Sequence, residues 1–543
     1  MIGDFVFPTP SELFRRETRV VSLLPHRQEV AAYQPPKGPP ISLAGHRVGL
    51  DELGHVAVIG TNGAGKNLTM GPTLGSLIAA VRHDPSRRLL VLEAKEDGLR
   101  AIQGSGVPYA LMTFTYSEGK TWEIGRDHGS PQLISQLGYS PFPEMDGQNA
   151  FFRNAARALF IAGAISIHTV TRGAWGLDDL VNISLTDSET LKAVLRHSVP
   201  GQWVLNTLFE GGQDEEGLTK IRSEAMSRLW PLIVPAAKYQ YSGPGISLVD
   251  FWGGGPTEAP ILVVKVNPEK FDVERPIVQS LLARSFDIIM ASPESDRKDK
   301  IVWIDDFNFY GRIPKLAEAA ELIRGRGGLL ITLFQSIEGL KARDSYGDRA
   351  EAILANFPWK IMLRACSPET ARWCASQYGR DVVREESYGI SFSQGGASTR
   401  EDQRRMVENI VHERAFLTLP LPSEKNGVTL YLTTPKWGDE RAKHIPWRQL
   451  IERHPPRVDA VRLTPLTSAY ELPSIWDEER RRLMTTGRNS PRPEVGRSRF
   501  ERMTNAEETA LMVEMVEVFE HELRECVFDE VMEVIASILS QIK

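Results

Sequence analysis

The sequence predicts an α/β fold on a parallel-rich central sheet, with an all-α inserted domain and a helical C-terminal tail. Three observations carry this: a glycine-rich turn between a short apolar strand and an apolar-periodic helix, a second apolar strand directly after that helix, and the return of strand signals beyond a stretch of purely helical texture. From His55 the chain reads VAVIG, a buried strand; Leu68 to Val81 follows with helical spacing, and RRLLVLEAK (87–95) is the next strand. Strand, helix, strand in this order implies parallel pairing through a right-handed crossover.

The remaining elements follow in chain order. Residues 1–45 contain PPKGPP and no clear period, as expected of an irregular N-terminal arm. Residues 146–242 read as an all-α domain: QNAFFRNAARALFIAGAI, SETLKAVLRH with Asp187 as its N-cap, and LTKIRSEAMSRLWPLI. Strands return at APILVVKV (259–266), KIVWIDD (300–306), GLLITLF (328–334), WKIMLRA (359–365) and around 425–434. The regular alternation ends with RQLIERHPP, so residues 46–145 and 243–455 form one discontinuous domain. Residues 456–503 read as a linker whose arginine cluster is solvated. In 504–543, Thr504 and Glu507 fit a capping box, and Met512, Val516, Phe519 and Leu523 recur at helical spacing. From 501 to 543 there are eleven acidic and three basic side chains, so this tail is expected to be an acidic helix.

Composition bounds the class. At 543 residues the chain exceeds one ordinary domain, and 41% hydrophobic with 25% charged residues is globular usage. A net charge of -6 argues against a wholly basic nucleic-acid coat and leaves room for a local basic surface. Cys366, Cys374 and Cys526 are too few for a disulfide framework or a cysteine zinc site, which fits a reducing compartment. The N-terminus has no apolar core of signal-peptide type, and the apolar run Ala158 to Ile167 is far short of the ~20 residues needed to cross a bilayer.

Residues 60–67, GTNGAGKN, fit G-x-x-x-x-G-K and stand between a strand and a helix, where a phosphate-binding loop belongs. Gly60, Gly63 and Gly65 let the backbone curl so that consecutive N–H groups face a phosphate at the positive end of the following helix, and with Thr61, Asn62, Ala64, Asn67 and Leu68 they are the expected nucleotide-binding residues. Lys66 adds a point charge. ATP and Mg²⁺ are the cofactors this implies, with Asn67 standing where a Ser or Thr hydroxyl usually ligates the metal; its amide oxygen is a longer hard donor.

The apolar run IVWI ends in Asp305 and Asp306, at the strand end where open α/β sheets collect ligand-binding groups. Asp305 is the second expected metal ligand and Asp306 the group that orients an attacking water, although acidic pairs after strands also serve as helix N-caps. Gln335 ends the next buried strand and is placed to sense a γ-phosphate. Arg324, on an exposed turn, is either a solvated residue or one that reaches a neighbouring subunit's site.

The stretch IVWIDDFNFYGRIPKLAEAAELIRGRGGLLITLFQS resembles the signature of type IV secretion coupling proteins of the TraG/TraD kind, related to FtsK and HerA. In that signature a Walker B acidic pair precedes a Gly-Arg-x-Pro turn, a helix, an Arg-Gly-x-Gly turn and a Gln-Ser strand end. GTNGAGKN, VLEAK, FFRNAARALF and ILANFPWKIMLRACSPETARWCASQYG are also similar to family segments, so the likeness covers about 40–450. The resemblance implies a hexameric, RecA-like P-loop ATPase, with Lys66, Asp305, Asp306, Arg324 (acting in trans) and Gln335 as catalytic residues. It further implies delivery of relaxase-bound single-stranded DNA, secreted proteins or both to a secretion channel in conjugation. Channel ATPases and inner-membrane components would be its partners, and an adaptor would dock at the acidic tail. It would work at the cytoplasmic face of the bacterial inner membrane. Four features depart from the family pattern: Asn67, Asp306 in place of Glu, Glu93-Ala94 in place of Asp-Pro, and no transmembrane pair, which leaves membrane contact to partners. The alternatives are a HerA/FtsK-like translocase of duplex DNA and a nucleotide-binding scaffold impaired in hydrolysis.

Overall fold

The computed structural model describes residues 37–142, 150–210, 215–254, 259–343, 345–393, 396–459, 462–466 and 476–487. The expected tail helix at 504–543 lies outside them.

The central sheet has nine strands in the order β13-β12-β9-β3-β8-β7-β4-β6-β5. These are β3 (Val56–Ile59), β4 (Arg88–Glu93), β5 (Tyr109–Met112), β6 (Ile261–Lys265), β7 (Ser295–Ile304), β8 (Arg326–Phe334), β9 (Trp359–Met362), β12 (Val428–Thr434) and β13 (Gly438–Ile445). From β9 to β5 every pairing is parallel, while β12 runs antiparallel to β9 and β13 antiparallel to β12. β3, β4 and β6 are buried along their whole length, because helices cover both faces of a parallel sheet and leave no side for polar alternation. Helix α1 (Lys66–His83) leaves β3, and α2 (Asp97–Ser105) leaves β4. β8 lies between β3 and β7, so the ends of these three strands open side by side.

Several elements differ from expectation. The arm's last residues form a hairpin of β1 (Pro40–Leu43) and β2 (His46–Gly49), which docks on α1 where Thr73 Oγ1 donates to the Ser42 carbonyl (2.7 Å) and the Ser42 amide to Ser76 Oγ (3.1 Å). β5, β13 and a second hairpin of β10 (Arg380–Ser393) and β11 (Gly396–Asn409) were not assigned from the sequence. β13 reads GDERAKHI, and its charges suit the outermost strand, whose free edge must not pair with other chains.

The insert between β5 and β6 is helical, and Asp187 caps its helix Ser188–Leu195 by accepting from the Thr190 amide at 2.9 Å. Its helix Ala150–Thr171 has 22 residues and is long and apolar enough, by length and composition, to cross a membrane; the expectation had counted only its apolar centre. In the fold 67% of its most apolar stretch is buried. Where the chain leaves and rejoins the sheet domain, buried Asp127 accepts from Trp122 Nε1 (2.6 Å), Ser247 Oγ (2.6 Å) and the Leu248 (2.7 Å) and Val249 (3.1 Å) amides. One carboxylate thus joins both crossings, and burying it is tolerable because its lone pairs are all engaged.

The region expected as a linker is docked where it is described. Thr464 and Leu466 bond to the loop after β5, and Trp476 Nε1 and Arg480 Nε both donate to buried Asp179 at 3.0 Å. Arg480 and Arg481 sit on the helix Glu478–Thr486, and Arg481 pairs with half-exposed Asp187 at 2.6 Å, so both arginines answer acids of the insert.

His55, His128 and His168 are held neutral by burial, which pushes them to about 3, about 3 and about 4. The His55 Nδ1 accepts from the Leu330 amide at 3.0 Å, a bond that requires the uncharged ring. Unfolded, each would titrate near 6.5, so the unfolded state takes up more protons below that pH and stability falls with acidification. On acidification from about pH 6.5 to about pH 4 the thermal midpoint of His128→Asn should therefore lose less, or gain more, than that of the wild type, as followed by circular dichroism melts.

Candidate nucleotide site

The loop after β3 is pinned at both sides: the Gly60 amide donates to the Phe334 carbonyl of β8 (3.1 Å) and the Thr61 amide to the Arg364 carbonyl beyond β9 (2.9 Å). Gly63 (φ +74°) and Gly65 (φ +92°) take the left-handed conformation that closes the turn. A Cβ at Gly65 would stand 2.6 Å from Pro422 Cγ, whereas one at Gly63 would meet open space. The first-turn amides of α1 have no intrahelical acceptor and give the loop its positive end. Lys66 is 6% exposed, and its ammonium donates to the Gly60 (2.8 Å) and Thr61 (3.3 Å) carbonyls. Burial lowers its pKa, opposed by the charge of Asp306.

Asp305 and Asp306 follow β7, both 5% exposed. The Asp305 amide donates to the Leu92 carbonyl (3.1 Å), tying the acidic turn to β4. Asp306 has φ +48°, a strained value for a non-glycine, and its amide donates to Asp305 Oδ1 at 2.9 Å. This turn directs the two carboxylates differently. Asp306 pairs with Lys95 Nζ at 2.7 Å and accepts from Gln335 Nε2 at 3.2 Å. Asp305 faces Asn67, whose Nδ2 lies 3.4 Å from Asp305 Oδ2 and 2.8 Å from Asp97 Oδ2. Burial first, and the neighbouring Asp306 second, push Asp305 up to about 6.

Asn67 gives its NH₂ to Asp97 and to the acidic strand end, and an amide so bonded presents Oδ1 on the other side as a hard donor. Among the described residues no cluster of three or more His, Cys, Asp or Glu side chains forms a metal cage. Magnesium is ordinarily held by one or two protein oxygens together with phosphate and water, and does not require such a cluster.

The structure gathers Lys66, Asn67, Asp305, Asp306 and Gln335 at the C-terminal ends of β3, β7 and β8. It does not bring Arg324 to them. Arg324 is exposed just before β8, and the nine residues of that strand, roughly 30 Å at 3.3 Å per residue, separate it from Gln335. Glu93, which stands in place of the family's Asp, accepts from the Gly98 (2.7 Å) and Leu99 (2.8 Å) amides and caps α2, while burial raises its pKa. Lys95, Asp97 and Asn308 were not assigned from sequence. Lys95 and Asp97 lie where β4 ends beside β7, a position legible only once strand order is known. Asn308 Oδ1 accepts from the Gln335 amide (2.9 Å) and fixes the strand end.

A sequence profile of the type IV secretion-system coupling protein DNA-binding domain matches residues 48–427, most of the chain. The chain belongs to the type IV secretion-system coupling protein family. No curated protein matches it in sequence. Among solved structures, the bacterial conjugative coupling protein TrwBΔN70 in an unbound form has TM-score 0.57 and 17% identity, covering 76% of this chain and 91% of that one. TrwB with ADP and Mg²⁺ has TM-score 0.56 and 16% identity, covering 82% and 95%. TrwB with the ATP analogue ADPNP has TM-score 0.57 and 17% identity, covering 80% and 95%. At such identity the likeness shows the shared RecA-like P-loop fold of this coupling-protein chain.

The two loop glycines make different demands. Gly65→Ala should cost about 1–3 kcal/mol, from the left-handed backbone and the Pro422 overlap. Gly63→Ala should cost about 1 kcal/mol, from the backbone alone. Urea denaturation of both variants checks the ranking.

Proposed function

We propose that this coupling protein is an ATP-driven motor that recruits substrate and delivers it to a type IV secretion channel. The observation that carries the reading is the convergence at one sheet edge of the glycine loop with Lys66, the acidic pair Asp305–Asp306, and Gln335. Gly60, Thr61, Asn62, Gly63, Ala64, Gly65, Asn67 and Leu68 would wrap the phosphates with Lys66, and Asn67 and Asp305 would hold Mg²⁺. The structures of TrwB with ADP and Mg²⁺ and with the ATP analogue ADPNP support this assignment.

The chain's own groups divide the work. Lys66 carries charge to the phosphate oxygens; its bonds to the Gly60 and Thr61 carbonyls are replaced as it turns to the ligand. Asp306 is the group that aligns water, and Lys95 and Gln335 keep it oriented and balance its charge. Magnesium, when bound, would neutralise charge on the phosphate oxygens. Arg324 stands a whole strand from its own site, so it can act only on a neighbouring subunit, in a ring such as a homohexamer. The family's DNA-binding domain supports DNA as cargo, with relaxase-bound single strands or secreted proteins as the species delivered at the cytoplasmic face of the inner membrane. The dual bonding of Asn67 favours a metal-competent site over a hydrolysis-impaired scaffold.

The test is ATP hydrolysis with and without single-stranded and duplex DNA. Wild type should be stimulated by single strands, and Lys66→Ala should lower turnover by about a hundredfold or more, the scale set by removing a phosphate-stabilising charge. Stimulation by duplex alone would instead assign a HerA/FtsK-like translocase, and absence of turnover would leave the scaffold. Arg324→Ala should abolish hydrolysis in the assembled protein while preserving nucleotide affinity; unchanged turnover removes its role in trans.

A further inference from the structure

Residues 453–459, RHPPRVD, follow the helix Trp447–Glu452 and lie as a strap over α1 and α2. Pro72 inside α1 has no N–H, so the Leu68 carbonyl one turn earlier loses its helical donor. His454 Nε2 supplies that donor at 3.1 Å. The seat is cut for the strap. A Cβ on Gly71 would overlap the His454 ring, one on Gly104 would overlap the Pro456 carbonyl, and one on Gly75 would stand 3.3 Å from Pro455 Cδ. Arg100 Nε holds the Val458 carbonyl at 2.9 Å.

From the strap a polar chain runs to the phosphate loop. Arg457 Nη1 lies 3.3 Å from Asp97 Oδ1, Asp97 Oδ2 accepts from Asn67 Nδ2 at 2.8 Å, and Asn67 continues to Asp305 at 3.4 Å. These residues and His454 line a cavity of about 20 Å³, room for a single water at the joint. Arg457 and Asp97 are 36% and 37% exposed, and a pair so wet contributes at most about 1 kcal/mol to stability. Its effect is therefore on orientation.

We propose that Asp97 is the positioning residue for Asn67, and that the strap, through Arg457 and His454, holds it there, so that metal affinity at the nucleotide site depends on a segment beyond the last strand of the sheet. This rests on the reading of Asn67 as a metal ligand. The hydrogen bond to Asp97 selects the amide orientation that leaves Oδ1 for the cation; without it the amide is free to rotate and offer its NH₂ instead.

The experiment measures binding of a fluorescent ADP analogue to the full chain across a Mg²⁺ titration and in EDTA. Asp97→Ala should raise the Mg²⁺ concentration for half-maximal enhancement by about tenfold or more, the usual loss when a metal ligand's outer hydrogen-bond partner is removed, with EDTA binding unchanged. Arg457→Ala should give a smaller shift in the same direction, and Asp97→Asn, which keeps an acceptor, should retain most of the wild-type response. In Asn67→Thr the hydroxyl is too short to engage Asp97, so adding Asp97→Ala should then change nothing. An unaltered Mg²⁺ dependence in Asp97→Ala, an equal loss in EDTA, an Asp97→Asn variant as impaired as the alanine, or full sensitivity persisting in the Asn67→Thr background would each overturn the proposal. If the wild type binds no nucleotide under either condition, the nucleotide-site reading falls, and the proposal with it.

Discussion

Two adjacent carboxylates kept from solvent at the end of one strand are the constraint around which the site is organised. Burial first, and the carboxylate beside it second, raise the cost of ionising Asp305, as its upward displacement records. The fold answers with cations that approach from different strands. Lys95, from the end of β4, neutralises Asp306 directly, and the ion pair outweighs the burial that opposes the lysine's own charge. Lys66 comes from the loop after β3 and feels the same acids at longer range. Strand order is what makes this possible, because β4 and β8 flank β7 and bring Lys95 and Gln335 to opposite sides of the acidic turn.

The left-handed backbone at Asp306 belongs to the same solution. A regular strand end would send two successive side chains to opposite faces of the sheet. The turn instead keeps Asp306 beside Lys95 and Gln335 while Asp305 faces Asn67, so the conformational cost is compensated by an ion pair and hydrogen bonds.

What was legible in the sequence follows from where elements sit. β3, β4, β6, β7, β8 and β9 were readable because burial on both faces demands unbroken apolar runs, and the glycine loop and acidic pair because each occupies a strand end of fixed chemistry. β13 and the hairpin of β10 and β11 were not, since GDERAKHI and RDVVREESYGISFS carry charges that a buried strand would exclude. Arg480 and Arg481 looked like linker residues because their acidic partners, Asp179 and Asp187, lie about three hundred positions earlier, a pairing no local pattern encodes. Glu93 was readable only as a departure from the family's Asp-Pro, and the two amides it receives identify it as the cap of α2. Asp97 was invisible for the same reason, because its meaning depends on a neighbour in α1 and another beyond residue 450.

The docking of Trp476 and Arg480 on Asp179 has a mechanical side. Past the last strand, the polypeptide is clamped on the phosphate-loop helix, stitched to the loop after β5 and finally bolted to the helical insert. Traction applied beyond residue 487 would thus be transmitted first into the insert, whose own roots are gathered by Asp127, and only then into the sheet. The load path runs through two buried carboxylates, and the sheet edge that carries the phosphate loop sits at its far end.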